Sequence, residues 1–170
     1  MRPLIERLAR GRAWWGFLLL LGIALEAVAL YYQYRLDYGP CVLCIHVRLW
    51  IAAWMLLAVL GLLLDDRPHV RRLLHGLNTL VMAILVERSW RLLGVERGFI
   101  EGSCEMDAGL PDWLALDRWW PQVFEPWEPC GYTPELAFGI TMAEALLVMS
   151  LLLGLVSALL AWASLRARAG

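Results

Sequence analysis

The chain contains no lysine; all fifteen of its basic residues are arginine. In 170 residues it has only three histidines and four cysteines, and the polar stretch from Gly94 to Thr133 has no histidine at all. That lack argues against zinc, which needs four ligands and usually takes them as two close pairs. No internal repeat or low-complexity tract divides the chain, so residues 1–170 read as a single domain. Charge is missing over long stretches. Ala145 to Ser164 has none, Trp14 to Tyr34 has only Glu26, and Ile45 to Leu64 has only Arg48. Such runs do not suit the surface of a water-soluble domain. No small-residue cleavage site follows the first run, and Tyr31-Tyr32-Gln33-Tyr34 makes a poor one, which argues against a removed signal peptide.

What is present is apolar: 61% of the residues are hydrophobic. About 20 predominantly apolar residues cross roughly 30 Å of hydrocarbon. Three runs meet that length plainly. A fourth, from Leu73, is interrupted by His75, Asn78 and Thr79 and reaches Leu93 only if Glu87, Arg88 and Arg91 lie at its outer end. The expected fold is an all-α membrane protein, a bundle of four transmembrane helices spanning about 14–34, 45–64, 73–93 and 145–164, with loops at about 35–44 and 94–144. The net charge of −1 hides an asymmetry. Arg2, Arg7, Arg10 and Arg12 precede the first run, Arg67, Arg71 and Arg72 fill the turn after the second, and Arg166 and Arg168 close the chain. The stretch from Gly94 to Thr133 has only Arg97 and Arg118 against eight acids. The positive-inside rule then puts both termini in the cytoplasm and both remaining loops outside.

The long outer loop holds Trp113, Trp119, Trp120 and Trp127. Trp113, Leu116, Trp120, Phe124 and Trp127 recur at three- or four-residue intervals, with Pro111 suited to a helix start and Pro121 and Pro126 limiting its length. One short amphipathic helix lying on the membrane surface fits this pattern; an aromatic-belt loop fits it equally.

The four cysteines all fall in the outer loops. Cys41 and Cys44 form a Cys-x-x-Cys pair between Pro40 and the start of the second run, where N–H groups and the helix dipole favour a Cys44 thiolate. Cys104 and Cys130 lie in loop surroundings; a bridge between them either braces the outer face, by about 3 kcal/mol, or is labile and redox-active. Arg48 lies four residues after Cys44, on the same helix face one turn away. Its guanidinium can stabilise a thiolate and donate to a carbonyl oxygen, or else snorkel to the headgroups. An ionisable group inside a span is a functional candidate by default. Among weaker candidates, Glu26 should be neutral or paired, Glu87 and Arg91 are spaced to pair, His46 adjoins the active pair, Gln33 can reach a head group, and Glu144 starts the last run.

Pro40-Cys-Val-Leu-Cys44 with Arg48, the preceding Leu25–Gln33 segment Leu-Glu-Ala-Val-Ala-Leu-Tyr-Tyr-Gln, and the Leu110–Phe124 segment resemble the DsbB disulfide-bond formation proteins. The likeness covers nearly the whole chain, including all four cysteines. It implies a bacterial inner-membrane enzyme with periplasmic cysteine loops that reoxidises a DsbA-like periplasmic thiol oxidase and passes the electrons to a quinone, ubiquinone or menaquinone. It further implies that Cys104 meets the partner thiolate, that Cys130 exchanges with Cys41, and that Cys44 delivers the electrons to a quinone held near Arg48. No metal and no nucleic acid enters this scheme. A relative dedicated to one client and a structural membrane protein braced by two disulfides are the alternatives. An arrangement like that of the vitamin K epoxide reductases, with the Cys-x-x-Cys after a later span, fits less well. The resting pairing stays open between Cys41–Cys44 with Cys104–Cys130 and a Cys41–Cys130 bridge.

Overall fold

The computed structural model describes residues 11–64, 67–102 and 106–166. Four long helices carry the fold: α1 (Arg12–Arg35), α2 (Val42–Leu64), α3 (Pro68–Glu96) and α4 (Met142–Arg166). They cover the four expected runs and extend a few residues beyond them. α1, α2 and α4 are long and apolar enough to cross a membrane. Their outward faces are as apolar as their inward ones: Leu20, Leu63 and Leu155 are mostly exposed, as lipid-facing side chains are. The chain is a membrane protein. α3 is the longest helix, with 29 residues, but Arg71, Arg72, Glu87, Arg88 and Arg91 lower its hydropathy. Glu87 pairs with Arg91 one turn on, as their spacing suggests, and also with Arg88.

α1 packs on α2, α2 on α3, and α3 most extensively on α4. The α3–α4 contact follows from small residues. Ala143, Ser150, Ser157 and Ser164 recur every seventh position on α4 and are all buried, so the backbones approach closely. Asn78 of α3 donates to Ser157 Oγ at 2.9 Å across this seam. Large side chains fill the centre: Trp15, Leu18, Trp54, Met82 and Leu85 are fully buried. Trp15 stacks on His75 with ring centroids 4.8 Å apart, and Trp54 Nε1 donates to Leu18 O at 3.1 Å. The Trp15 indole lies directly over Gly61, where a Cβ would come within 2.3 Å of the ring. α1 and α4 pack only loosely on each other, which leaves the bundle open along that side.

α4 begins three residues before the expected Ala145. Thr141 Oγ1 accepts from Glu144 N at 3.3 Å, and Glu144 Oε2 accepts from Thr141 N at 3.0 Å. This reciprocal Thr-x-x-Glu capping satisfies two N–H groups that the helix start leaves open. Glu144 also pairs with Arg97 at the far end of α3. A two-stranded hairpin, β1 (Glu135–Ala137) and β2 (Ile140–Thr141), precedes α4.

The one short amphipathic helix that the Trp113–Trp127 spacing suggests is broken. The segment forms a 3₁₀ turn at Asp112–Leu114 and two one-turn helices at Leu116–Trp119 and Pro121–Phe124. The breaks fall at Ala115 (ψ 61°) and Trp120 (φ −136°, ψ 66°). Trp120 precedes Pro121, whose ring disfavours helical backbone in the residue before it. Trp113, Trp119 and Trp120 are nonetheless exposed, while Phe124 turns inward against Ile45 and Ala108.

Candidate redox site

The site forms where α1 ends and α2 begins. Cys41 occupies the N-cap of α2: Ile45 N donates to Cys41 O at 3.0 Å, and Cys44 N donates to Cys41 Sγ at 3.3 Å. A sulfur thus does the work usually left to a Ser or Asp oxygen at this position. Cys41 is buried, and its Sγ lies 2.8 Å from Cys44 Sγ. Both are free thiols here, and closing the gap to the roughly 2.05 Å of a disulfide needs only a small side-chain shift.

Cys130, 89 positions from Cys41 in the chain, packs into the same cluster. The local reason is a pair of backbone bonds. Trp127 N and Glu128 N donate to Pro40 O, at 2.8 and 3.4 Å, and so pin the segment before Cys130 against the residue before Cys41. Gly39 permits this approach, because a Cβ there would lie 2.9 Å from Trp127 Cβ. Beyond the cysteine, Thr133 accepts from Ala143 N at 3.3 Å and donates to Glu96, tying the segment to α3 and α4. Cys130 packs against Cys41, beside the Val42 and Leu43 backbone at the α2 N-terminus. At the start of α2 the Cys44 N–H thus serves Cys41.

These contacts bias the thiols in opposite directions. The Cys41 thiol donating to Cys130, with help from the Leu43 and Val42 N–H groups, pulls Cys130 down to about 6. Cys41 is pushed up, chiefly by its bond to Cys130, then by Cys44 and by burial. Of this pair, Cys130 is the thiol favoured to ionise first. In the fully reduced protein, alkylation of Cys130 mapped by mass spectrometry is expected to rise with a midpoint near pH 6. A Cys41→Ala substitution removes the main donor and should move that midpoint toward the ordinary value of about 8.5. A midpoint near 8.5 in both proteins would refute the contact.

Arg48 is buried inside α2, 6% exposed, and does not reach the bundle surface. Its Nη1 donates to Gln33 Oε1 at 2.7 Å and to Val123 O at 2.8 Å, and its Nη2 to Ala29 O at 3.4 Å. A guanidinium has five N–H donors, so two are without a partner among the described residues. Glu26 has a buried oxygen with no hydrogen-bond partner among them. His46 turns away from Arg48 and bonds Ala108 O through Nε2 at 2.8 Å, which anchors the long loop to α2. Cys104 lies outside the described residues, as do Arg2, Arg7, Arg10 and Arg168.

Cys44 and Arg48 both line a cavity of about 140 Å³ between α1, α2 and α4. The walls are otherwise mostly apolar, with Leu25, Val28, Ile51 and Met149 among them, and Tyr38 and Tyr132 stand at the loop end. No cluster of three or more His, Cys, Asp or Glu suited to a metal occurs among the described residues. The Cys44–Arg48 pair follows from its four-residue spacing and the approach of Cys130 to Cys41 from the family resemblance, whereas Gln33 beneath Arg48 has no signal in the sequence.

Known proteins similar to this chain fall in one family. A family model described as "Disulfide bond formation protein DsbB" matches residues 11–160. Disulfide bond formation protein B of Shewanella loihica is 32% identical over 151 residues, 85% of each chain. Disulfide bond formation protein B 2 of Pseudomonas aeruginosa is 32% identical over 146 residues, 84% of this chain and 83% of its own. The Haemophilus influenzae protein of the same description is 30% identical over 153 residues, 88% of this chain and 85% of its own. With a membrane bundle and three sulfurs meeting at its loop end, the chain belongs to the DsbB family of disulfide bond formation proteins and is a disulfide oxidoreductase.

Proposed function

We propose that the chain oxidises the dithiol of a DsbA-like periplasmic partner and passes the electron pair to a membrane quinone. The observation that carries this reading is the cavity that puts Cys44 and Arg48 together on otherwise mostly apolar walls and lies along the open side between α1 and α4. A planar, lipid-soluble acceptor suits such walls, and the two spare Arg48 donors suit a carbonyl oxygen. A quinone accepts two electrons and two protons. α3 is read as the fourth span, both termini as cytoplasmic, the two cysteine loops as periplasmic, and residues 1–170 as one integral domain of a bacterial inner membrane.

In this reading the partner thiolate attacks Cys104 of a Cys104–Cys130 bridge and frees Cys130 as thiolate. Cys130 then attacks Cys41 of the Cys41–Cys44 bridge, forming Cys41–Cys130 and releasing Cys44. The partner's second thiol resolves its bond to Cys104. Cys104 next attacks Cys130, restoring their bridge and freeing Cys41. Cys44 and Cys41 give up two electrons as their bridge reforms, and Arg48 holds the oxygen on which negative charge develops. The balance is one dithiol and one quinone in, one disulfide and one quinol out. Either Cys41–Cys44 or Cys41–Cys130 is then a station of the cycle, which accounts for three sulfurs in one cluster.

The energetics require a strong acceptor. DsbA-type oxidases have an established potential near about −120 mV, and structural disulfides lie below about −300 mV. That gap of about 180 mV corresponds to about 8 kcal/mol for two electrons, so a merely bracing bridge cannot oxidise such a partner. Purified protein mixed with reduced DsbA-like partner and a soluble ubiquinone analogue is expected to show catalytic loss of quinone absorbance alongside loss of partner thiols. Absence of turnover with both ubiquinone and menaquinone analogues would sink the proposal.

A further inference from the structure

We propose that Gln33 is a positioning residue for this reaction: it holds Arg48 toward the cavity and ties the Pro121–Phe124 turn to the same guanidinium. The inference rests on the quinone reading above and extends it to a residue outside the cavity lining.

Gln33 lies in the last turn and a half of α1 and is fully buried, 0% exposed. A buried amide must place both its ends. Its Oε1 accepts from Arg48 Nη1 at 2.7 Å, and its Nε2 donates to Gln122 O at 3.2 Å. Arg48 Nη1 donates in turn to Val123 O, the next carbonyl along. Gln33, Arg48 and the Gln122–Val123 backbone thus close a ring. The ring also solves a local problem of the loop. A helix leaves its last carbonyls without internal partners, and a single-turn helix such as Pro121–Phe124 leaves most of them so. Gln33 and Arg48 satisfy two, and Tyr34 Oη adds a second bond to Gln122 O at 2.5 Å.

The choice of an amide has a consequence. A carboxylate in this place would orient Arg48 equally well but would pair with it and offset its charge. Gln33 fixes the guanidinium by a neutral acceptor and leaves its charge to act on Cys44 and on the reduced acceptor. The same bonds fasten the loop, so loop position and Arg48 orientation depend on one side chain.

The test is a double-mutant cycle in full-length protein, with quinone and partner KM measured separately. Gln33→Leu is expected to raise the KM for a soluble ubiquinone analogue about tenfold, the effect of a misdirected charge-assisted hydrogen bond, with partner KM little changed. In an Arg48→Met background the same substitution should change quinone KM by less than about twofold, because Gln33 acts through Arg48. Gln33→Glu keeps the acceptor for Arg48 and the volume but loses the donor to Gln122 O and offsets the Arg48 charge; it is expected to lower kcat more than it raises quinone KM. An unchanged quinone KM in Gln33→Leu, or an equal rise in both backgrounds, overturns the proposal. A second readout needs no quinone. Tryptophan emission from the Trp119–Trp127 segment is expected to shift in Gln33→Leu and in Arg48→Met, and the double variant should shift no further than either. If no variant turns over quinone but emission stays non-additive, the quinone reading fails and the clamp stands; additive emission shifts overturn the clamp itself.

Discussion

Cys44→Ser is expected to abolish quinone reduction, lowering kcat at least about a thousandfold, as loss of a reacting nucleophile does. Cys44 is the cysteine that lines the cavity, and its sulfur lies 2.8 Å from that of Cys41. A serine hydroxyl fits the space but neither forms the bridge nor carries electrons. The variant should still oxidise one equivalent of partner dithiol through its Cys104–Cys130 bridge and then stall with Cys41, Cys104 and Cys130 all as thiols, because no Cys41–Cys44 bridge exists to take the electrons onward. Non-reducing peptide mapping after mixing with partner would detect that species. Retention of the low Cys130 alkylation midpoint in the reduced variant separates loss of chemistry from loss of fold. Substantial quinone turnover by the serine variant would remove Cys44 from the electron path.

Arg48→Met is expected to raise the KM for quinone about ten- to a hundredfold, with a smaller effect on the partner. A hydrogen bond from a charged donor contributes about 1.5–3 kcal/mol, and each 1.4 kcal/mol is tenfold in affinity. Methionine keeps most of the apolar stem and so limits the cavity that alanine would leave. It also leaves Gln33 Oε1 and Val123 O without their donor, so some loss of stability accompanies the kinetic effect. Arg48→Lys discriminates further. One ammonium cannot satisfy Gln33, Val123 and a ligand oxygen in the fork geometry of a guanidinium, so only partial rescue is expected. Quinone kinetics indifferent to residue 48 would contradict the role assigned to it.

Features close in sequence were legible from spacing, and features made by distant segments were not. Cys44 and Arg48 are one helical turn apart, so spacing alone puts them on one face. α1, α2 and α4 announce themselves as charge-poor runs, and the helix ends lie within a few residues of the expected ones. The Thr141-x-x-Glu144 box carried a readable signal that moves the α4 start ahead of Ala145. The loop helix failed for a local reason also present in the chain: Trp120 precedes proline, which breaks a periodicity that the aromatic residues alone suggest. Cys130 against Cys41 followed only from the family resemblance, and Gln33 against Arg48 had no signal. The first depends on two backbone bonds to Pro40, and the second joins residues on different helices across a turn. His46, next to the active pair in the sequence, anchors the loop at Ala108.

The most direct measurement is an anaerobic single-turnover experiment that counts electrons. Oxidised protein carrying bound quinone is mixed with excess reduced partner, and quinone absorbance and free thiols are followed together. The account expects one quinol formed for every two partner thiols lost, beyond the protein's own cysteine equivalents. Thiol loss that stops at those equivalents, with quinone absorbance unchanged, would contradict it.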